Sequence, residues 1–510
     1  MNINQCFDDG GLLTIMSFLD VASLGRCHLV CQKWKQIAGD HTLWRAACYD
    51  LLLNGLSEGE TETFHKVATD VAALDEKGAV NQQAEKCLRI DPQQCGFPNE
   101  PTSWQLLFSH FLSAHIVDPR SSTSPPSKWP KRYSTLSRAV SAATREQPFI
   151  YLLPGLHAAY CNGGGGVRTD EEADVCNKPV KIRGLGRRPS DVVISPAATL
   201  EYRDTMLRLS GWCALEFSGP PSPSSARLLH RQRRKEDLFD GDAENEDEKR
   251  WVEHAVGYTE EELTELLDET KENSLNRPLL KGVKLLHDAG HAICIGRGSS
   301  VIIKDCEFEN NPKEEEDEEE AKEEETTSTH DEAEHDSARE EETRDRTTVA
   351  LEALLQGRII SASALRSGGS CVNIFGSQTD TILYRCKILN AGKHGIFIGE
   401  EATACVIDSS VSNTEHSGVH ARSLGRALIR SCSIQNCQHH GVFVNEDGIA
   451  VVEDSTISDV AGDGVHVFDS NEGAEQHRQR AFCKQRRNVL RNCAHSKVGP
   501  TTSASDCIIA

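Results

Sequence analysis

Gly395, Gly418, Gly441 and Gly464 recur every 23 residues, and the likeness between units runs through most of each interval. Ile396, Val419, Val442 and Val465 share a column, and Ile398, Ala421, Val444 and Val467 share another two places on. Cys386, Ser409, Cys432 and Ser455 make a column of small residues, followed two places later by Ile388, Val411, Ile434 and Ile457. Asn390, Asn413, Asn436 and Asp459 make a polar one. Apolar columns in steps of two are strands with one buried face. A unit this short holds about three short strands and no helix. One unit cannot bury its apolar face alone. Stacked copies about 4.8 Å apart can, and each column becomes a ladder of like side chains. Asn suits left-handed turn positions and can bond its counterparts above and below. The repeat therefore predicts a parallel β-helix.

The template extends upstream. Ala292 to Asn310 fits, with Cys306 and Phe308 in the small and apolar columns, and Val372 to Asn390 fits with one extra residue. Phe149 to Leu153, Val180 to Arg183 and Val192 to Ile194 read as further strands, preceded by a helix over Leu136 to Ala143. Two segments interrupt the pattern. Residues 218–281 hold a Pro/Ser run, a basic patch at Arg231 to Lys235 and an exposed helix over Thr259 to Lys271. From Lys313 to Arg346 there are 18 acidic and 5 basic residues, more than half of the formal net charge of −23. This composition predicts a disordered excursion from a turn. Beyond residue 470 the pattern fails and an irregular tail is expected.

The N-terminal 53 residues have a different period. Leu12, Ile15, Phe18 and Leu19, then Leu24, Cys27, Val30, Cys31 and Trp34, fall three and four apart, and a third short helix carries Leu43, Trp44 and Ala47. Such short helices, apolar on several faces, call for a partner surface. The string Ile15 to Asp20, Leu24, Leu29 to Trp34 and Leu43 to Arg45 resembles an F-box, although Phe7, Asp8 and Gly10 replace the usual Leu-Pro-acidic opening. The resemblance implies binding to the adaptor Skp1 through Leu12, Leu13, Ile15, Phe18, Leu19, Leu24, Val30 and Trp34, with Leu43 and Trp44 completing the packing. The later repeats, opened by Leu136 to Val140, resemble the right-handed β-helix repeats of carbohydrate-active enzymes and of some F-box proteins. F-box followed by β-helix is similar to the group that includes F-box only protein 11.

That resemblance implies a multidomain chain: a small all-α F-box module, then an all-β right-handed parallel β-helix solenoid with disordered insertions. The expected divisions are 5–53 (F-box), 54–132 (irregular, partly helical), 133–217 (first part of the β-helix), 218–281 (insertion), 282–311 (coil), 312–348 (acidic insertion), 349–470 (coils) and 471–510 (tail). It also implies a non-catalytic substrate-recognition subunit of a Skp1–cullin–F-box ubiquitin ligase, with Skp1, a cullin scaffold and an unidentified protein substrate as partners. The acidic balance argues against nucleic acid. No apolar run approaches the roughly 20 residues of a membrane span. With 19 cysteines, no paired zinc spacing and no leader pattern over Met1 to Asp9, the expectation is cytosol or nucleus with free thiols, and no cofactor or metal.

The rival is an intracellular carbohydrate-binding or polysaccharide-cleaving β-helix, which needs clustered carboxylates. Asp408 and Asp454 share a column with Ser431 between them, and Asp463 is alone in its own. Phe397, His420, Phe443 and His466 form one column, while His394 and His440 alternate with Ser417 and Asp463 in another. They predict a His/Phe stripe on an outer flank, either a substrate-binding surface or a plain strand face. Columns two coils apart stand about 9–10 Å from each other, too far for a shared metal.

Overall fold

The computed structural model describes residues 9–17, 19, 21–27, 29–53, 88–97, 103–119, 131–158, 180–195, 213–218, 256–287, 290–296, 298–310, 369–468, 481–495, 504–505 and 508–509. Four short helices come first: α1 (Asp9–Met16), α2 (Val21–Cys27), α3 (Gln32–Ala38) and α4 (His41–Leu53). They are followed by α5 (Ser103–Ser113), then by a right-handed parallel β-helix with α6 (Leu136–Ala142) near its start and α7 (Glu260–Leu267) in its first excursion. Among the described residues, twelve, seven and ten strands form three sheets along the stack, the seven-stranded one spanning only Cys213–Ser218 to Val465–Phe468. No described helix is long and apolar enough to cross a membrane.

The register follows the sequence columns. Val419 pairs with Ile396 and with Val442, and Val411 with Ile388 and with Ile434. Ile396 pairs with Val372, which places the extra residue in that coil. Asn390, Asn413, Asn436 and Asp459 all have φ between 53° and 57°. Asn413 Nδ2 donates to Asn390 Oδ1 (3.0 Å), and Asn436 Nδ2 to Asn413 Oδ1 (3.2 Å). Left-handed turns and side-chain ladders thus reinforce each other along the stack. The small column is buried, and the Cys386 and Cys432 amides donate to Ser409 and Ser455 Oγ one coil on.

The glycine column has a steric cause. A Cβ on Gly418 would lie 2.5 Å from Ile434 Cγ2 and 2.8 Å from the Gly441 carbonyl oxygen. Glycine is needed here for close coil-to-coil approach, not for turn conformation. Gly418→Ala is therefore expected to destabilise by roughly 1–3 kcal/mol, against the usual gain from Gly→Ala. A urea midpoint unchanged or raised relative to the parent would refute this.

Several expected boundaries move. The stack begins before residue 133, because His115–Val117 pairs with Phe149–Leu152 as part of the twelve-stranded sheet. Leu279–Lys281, assigned to the insertion, is a strand between the first coils. The segment from Thr259 to Lys271 is helical as expected, α7 being followed by a 3-10 turn (Glu269–Lys271), but it is less exposed than expected. Capped by Thr259 and Glu262, α7 buries Leu263 in a cluster with Tyr258, Ile382, Cys405 and Leu428. The excursion thus covers the outer face of the twelve-stranded sheet, whose strands, such as Thr403–Ile407, are buried on both faces. The expected alternation is absent there for that reason.

The tail is not irregular either. Phe482–Arg486 and Val489–His495 add to the stack, Asn492 Nδ2 donating to Asp459 Oδ1 (2.9 Å) and Asn488 Oδ1 accepting the Ser455 amide (3.0 Å). The coil from Asp459 to Asn492 takes 33 residues, so a search at a period of 23 misses it. The acidic insertion 312–348 and the basic patch Arg231 to Lys235 lie outside the described residues.

Candidate functional site

The first four helices contribute to a small core of Leu12, Met16, Leu24, Cys27, Ile37, Ala38 and Leu43. Leu12 and Leu24, expected as contact residues, are 1% and 0% exposed and belong to this interior. Leu13, Leu19 and Trp34 pack partly against it. Phe18 lies outside the described residues. What remains outward is Ile15 (40% exposed), Val30 (59%) and Leu29 (86%). Leu29 belongs to the motif string but was absent from the expected contacts. Nothing in a 3.6-residue period marks it, because it sits in the turn between α2 and α3.

Leu43 and Trp44 pack as expected, and Trp44 does more. Its indole N–H donates to the Ala38 carbonyl (2.7 Å), while its ring meets Phe108 of α5 edge-on at 5.5 Å. Trp44, Cys48, Leu51 and Leu52 share one core with Phe108, Phe111, Tyr151 and Leu153. Arg132 donates to the Leu51 and Leu52 carbonyls (2.8 and 2.7 Å), which occupies free carbonyls at the end of α4. The helical module is thus built onto the side of the β-helix.

The His/Phe stripe forms, but its edges are already bonded. The Ser417 amide donates to His394 Nδ1 (3.4 Å); His394 Nε2 and His420 Nδ1 stand 3.1 Å apart; His420 Nε2 and Asn445 Oδ1 are 3.0 Å apart. Neutral rings protonated at Nε2 satisfy every link in this chain. The rings stack as well, His420 on Phe443 at 4.7 Å and His440 on His466 at 4.3 Å. Burial first, then the neighbouring His420, pushes His394 down to about 2; burial brings His420 and His440 down to about 4.

His440, Asp463 and His466 offer ligand atoms within 4.8 Å of one another. The expected separation fails here because the residues come from adjacent columns of adjacent coils. Within the trio, His466 Nδ1 lies 2.5 Å from Asp463 Oδ2, and His440 Nδ1 accepts the Asp463 amide (3.1 Å). Asp408 and Asp454 occupy left-handed turns with φ of 49° and 50°, and Arg487 Nε donates to Asp454 Oδ1 (2.5 Å).

Beneath the first excursion lies a buried charge cluster that the sequence did not mark. Glu272 accepts from Lys281 (3.1 Å), Lys304 (3.1 Å) and Arg183 (2.9 Å). Burial would raise its carboxyl, but Lys281, Arg183 and Lys304 outweigh that and hold it below the usual range. Lys181 Nζ donates to the Glu272 and Leu275 carbonyls (2.9 and 2.5 Å), and burial and Arg183 bring it down to about 7.

A family model described as F-box-like matches residues 12–50, and one described as a right handed beta helix region matches residues 355–502. The chain carries both modules. A search of curated proteins gives no match. Among solved structures, pectate lyase Pel9A is similar at 11% identity and a TM-score of 0.38, over 77% of this chain and 79% of its own. The Dettilon tailspike protein follows at 10% and 0.34, over 82% of this chain and 55% of its own. The A-module of the Azotobacter vinelandii mannuronan C-5 epimerase AlgE6 matches at 10% and 0.33, over 74% and 94%. The chain thus spans little more than half the length of the tailspike protein.

Proposed function

We propose that the chain is the substrate-recognition subunit of a Skp1–cullin–F-box ubiquitin ligase, its helical module docking Skp1 and its β-helix holding a protein to be modified. The observation that carries this reading is the exposed apolar set Ile15, Leu29 and Val30 on a module whose described residues already form a buried core of their own. Apolar side chains left outside a filled core are what a partner surface looks like. The rigid join through Trp44 and α5 supports it, because a fixed bridge between scaffold and substrate raises effective concentration. The β-helix would do no chemistry of its own, and the cytosol or nucleus is the compartment this role implies. The order of an F-box-like module followed by a β-helix region, the order of the F-box only protein 11 group, supports this reading. A polysaccharide-cleaving role has less support: the described carboxylates of the coils are engaged in turns and ion pairs rather than gathered on one open face.

The test is a pull-down of purified Skp1 with the full chain and with Ile15→Asp, Val30→Asp. Two buried apolar contacts are each worth about 1.5–3 kcal/mol, so roughly a 100-fold or greater loss is expected. Both positions are exposed, so the circular dichroism should not change. No binding by the folded parent, or equal binding by the variant, would overturn the assignment of this face.

A further inference from the structure

His440 and Asp463 hold one column on neighbouring coils, and His466 follows Asp463 by three residues, beside the last two strands of the seven-stranded sheet (Val442–Asn445 and Val465–Phe468). Asp463 Oδ2 stands 2.5 Å from His466 Nδ1 and 4.0 Å from His440 Nδ1. The two rings are nearly parallel, their planes 11° apart, which sets their edges side by side. Local backbone fixes this arrangement. The strand Thr456–Asp463 shifts register between Val460 and Asp463, and such a bulge re-aims the side chains beyond it. The Gly462 amide donates to the His439 carbonyl (2.6 Å) and the Gly441 amide to the Asp463 carbonyl (3.0 Å), tying the two coils together at this point. A Cβ on Gly462 would lie 2.5 Å from the His439 carbonyl oxygen and 2.9 Å from His440 Nδ1, so the close approach needs glycine.

The repeat supplies its own comparison. His394, Ser417 and His420 hold the same three columns two coils earlier. With serine in place of the carboxylate, the rings there meet directly, His394 Nε2 and His420 Nδ1 standing 3.1 Å apart. At the later position a carboxylate serves both rings. Nε2 of His440 and of His466, and Asp463 Oδ1, make no hydrogen bond among the described residues.

We propose that His440, Asp463 and His466 bind a divalent transition cation of the zinc class, through Nδ1 of both rings and Asp463 Oδ2, and so staple two neighbouring coils together. Imidazole nitrogens with one carboxylate oxygen suit zinc and its neighbours, whereas calcium and magnesium take oxygen ligands. Zinc bonds of about 2.0–2.2 Å place tetrahedral ligands roughly 3.3 Å apart. The present 2.5 and 4.0 Å bracket that spacing, so a small shift of the carboxylate meets it. The cation replaces the proton between His466 and Asp463, and the Asp463 amide gives up its bond to His440 Nδ1. Both rings then carry their proton on Nε2. All three side chains are partly exposed, so a fourth position stays open to water. The site does not depend on the adaptor reading.

The full chain, reduced and stripped of metal with a chelator, is titrated with zinc chloride by calorimetry. Loss of an outer-shell partner costs roughly 10–100-fold in metal affinity. Removal of a direct ligand, in Asp463→Asn or in His466→Phe, should therefore cost at least about 100-fold and take one zinc from the stoichiometry. Asparagine keeps the shape of Asp463 and phenylalanine keeps the ring stack, so the circular dichroism should not change. His394→Phe, in the earlier copy, should bind as the parent does, which separates this site from the thiols and the other histidines. Excess calcium or magnesium should not displace the zinc. Hydrogen exchange over 442–445 and 465–468 should slow on adding zinc to the parent and not to Asp463→Asn. A stripped parent that takes up no zinc, an Asp463→Asn chain that binds as the parent does, or an equal loss in His394→Phe overturns the proposal. Displacement by calcium overturns the assignment to the zinc class, and zinc uptake without slowed exchange overturns the staple.

Discussion

Glu272→Gln is expected to cost about 3–5 kcal/mol, the usual penalty for leaving buried cations without their partner. The carboxylate is 0% exposed and serves Lys281, Lys304 and Arg183 together. It also fastens the first excursion, since Lys181 holds the backbone carbonyls of Glu272 and Leu275. Because a solenoid's coils contact only their neighbours, the damage should be local. Hydrogen exchange should accelerate over residues 181–184, 279–281 and 300–304, while 396–468 stay protected. Adding Lys281→Met and Lys304→Met should restore much of the loss, as apolar replacements of buried ion pairs often do. If the single variant unfolds at the parent's urea midpoint, the cluster is not the fastening described here.

The second large effect is a loss of stability between neutral and mildly acidic pH. Burial holds His394 down to about 2, and His420, His440, His291 and His110 down to about 4. An unfolded histidine titrates near 6.5. Below that value the unfolded chain takes up protons that the folded chain refuses, so stability present above pH 6.5 is lost as pH falls toward the folded values. Each histidine contributes at most about 1.4 kcal/mol per pH unit within this window. The hydrogen-bond chain gives the reason: a proton on His420 Nδ1 would face the proton on His394 Nε2. The unfolding midpoint should therefore drop steeply from pH 6.5 to 5. His420→Phe, His440→Phe keeps the stacked rings and should flatten the slope. An unchanged slope in that variant would show that these two rings do not carry it.

Much of this was legible because a solenoid writes its contacts into the sequence at a fixed period. Gly418, Val419, Asn413 and Ser409 meet their equivalents 23 residues away, so the column is the contact, and register, turn conformation and inward ladders follow from it. The F-box string was readable for a similar reason, being local helix periodicity. What escaped was every contact without a period. Glu272 meets Arg183 across 89 residues and Arg430 meets Glu260 across 170, and no spacing announces such pairs. The 33-residue coil hid the last strands. Leu12 and Leu24 carry the same periodicity as a contact residue would, and only packing sends them inward and leaves Leu29 and Val30 outside. Periodicity thus determined the solenoid and the helical module. Which faces stay free to bind was decided by the excursions that fold back over the coils, because burial depends on what covers a residue and not on where it falls in the repeat.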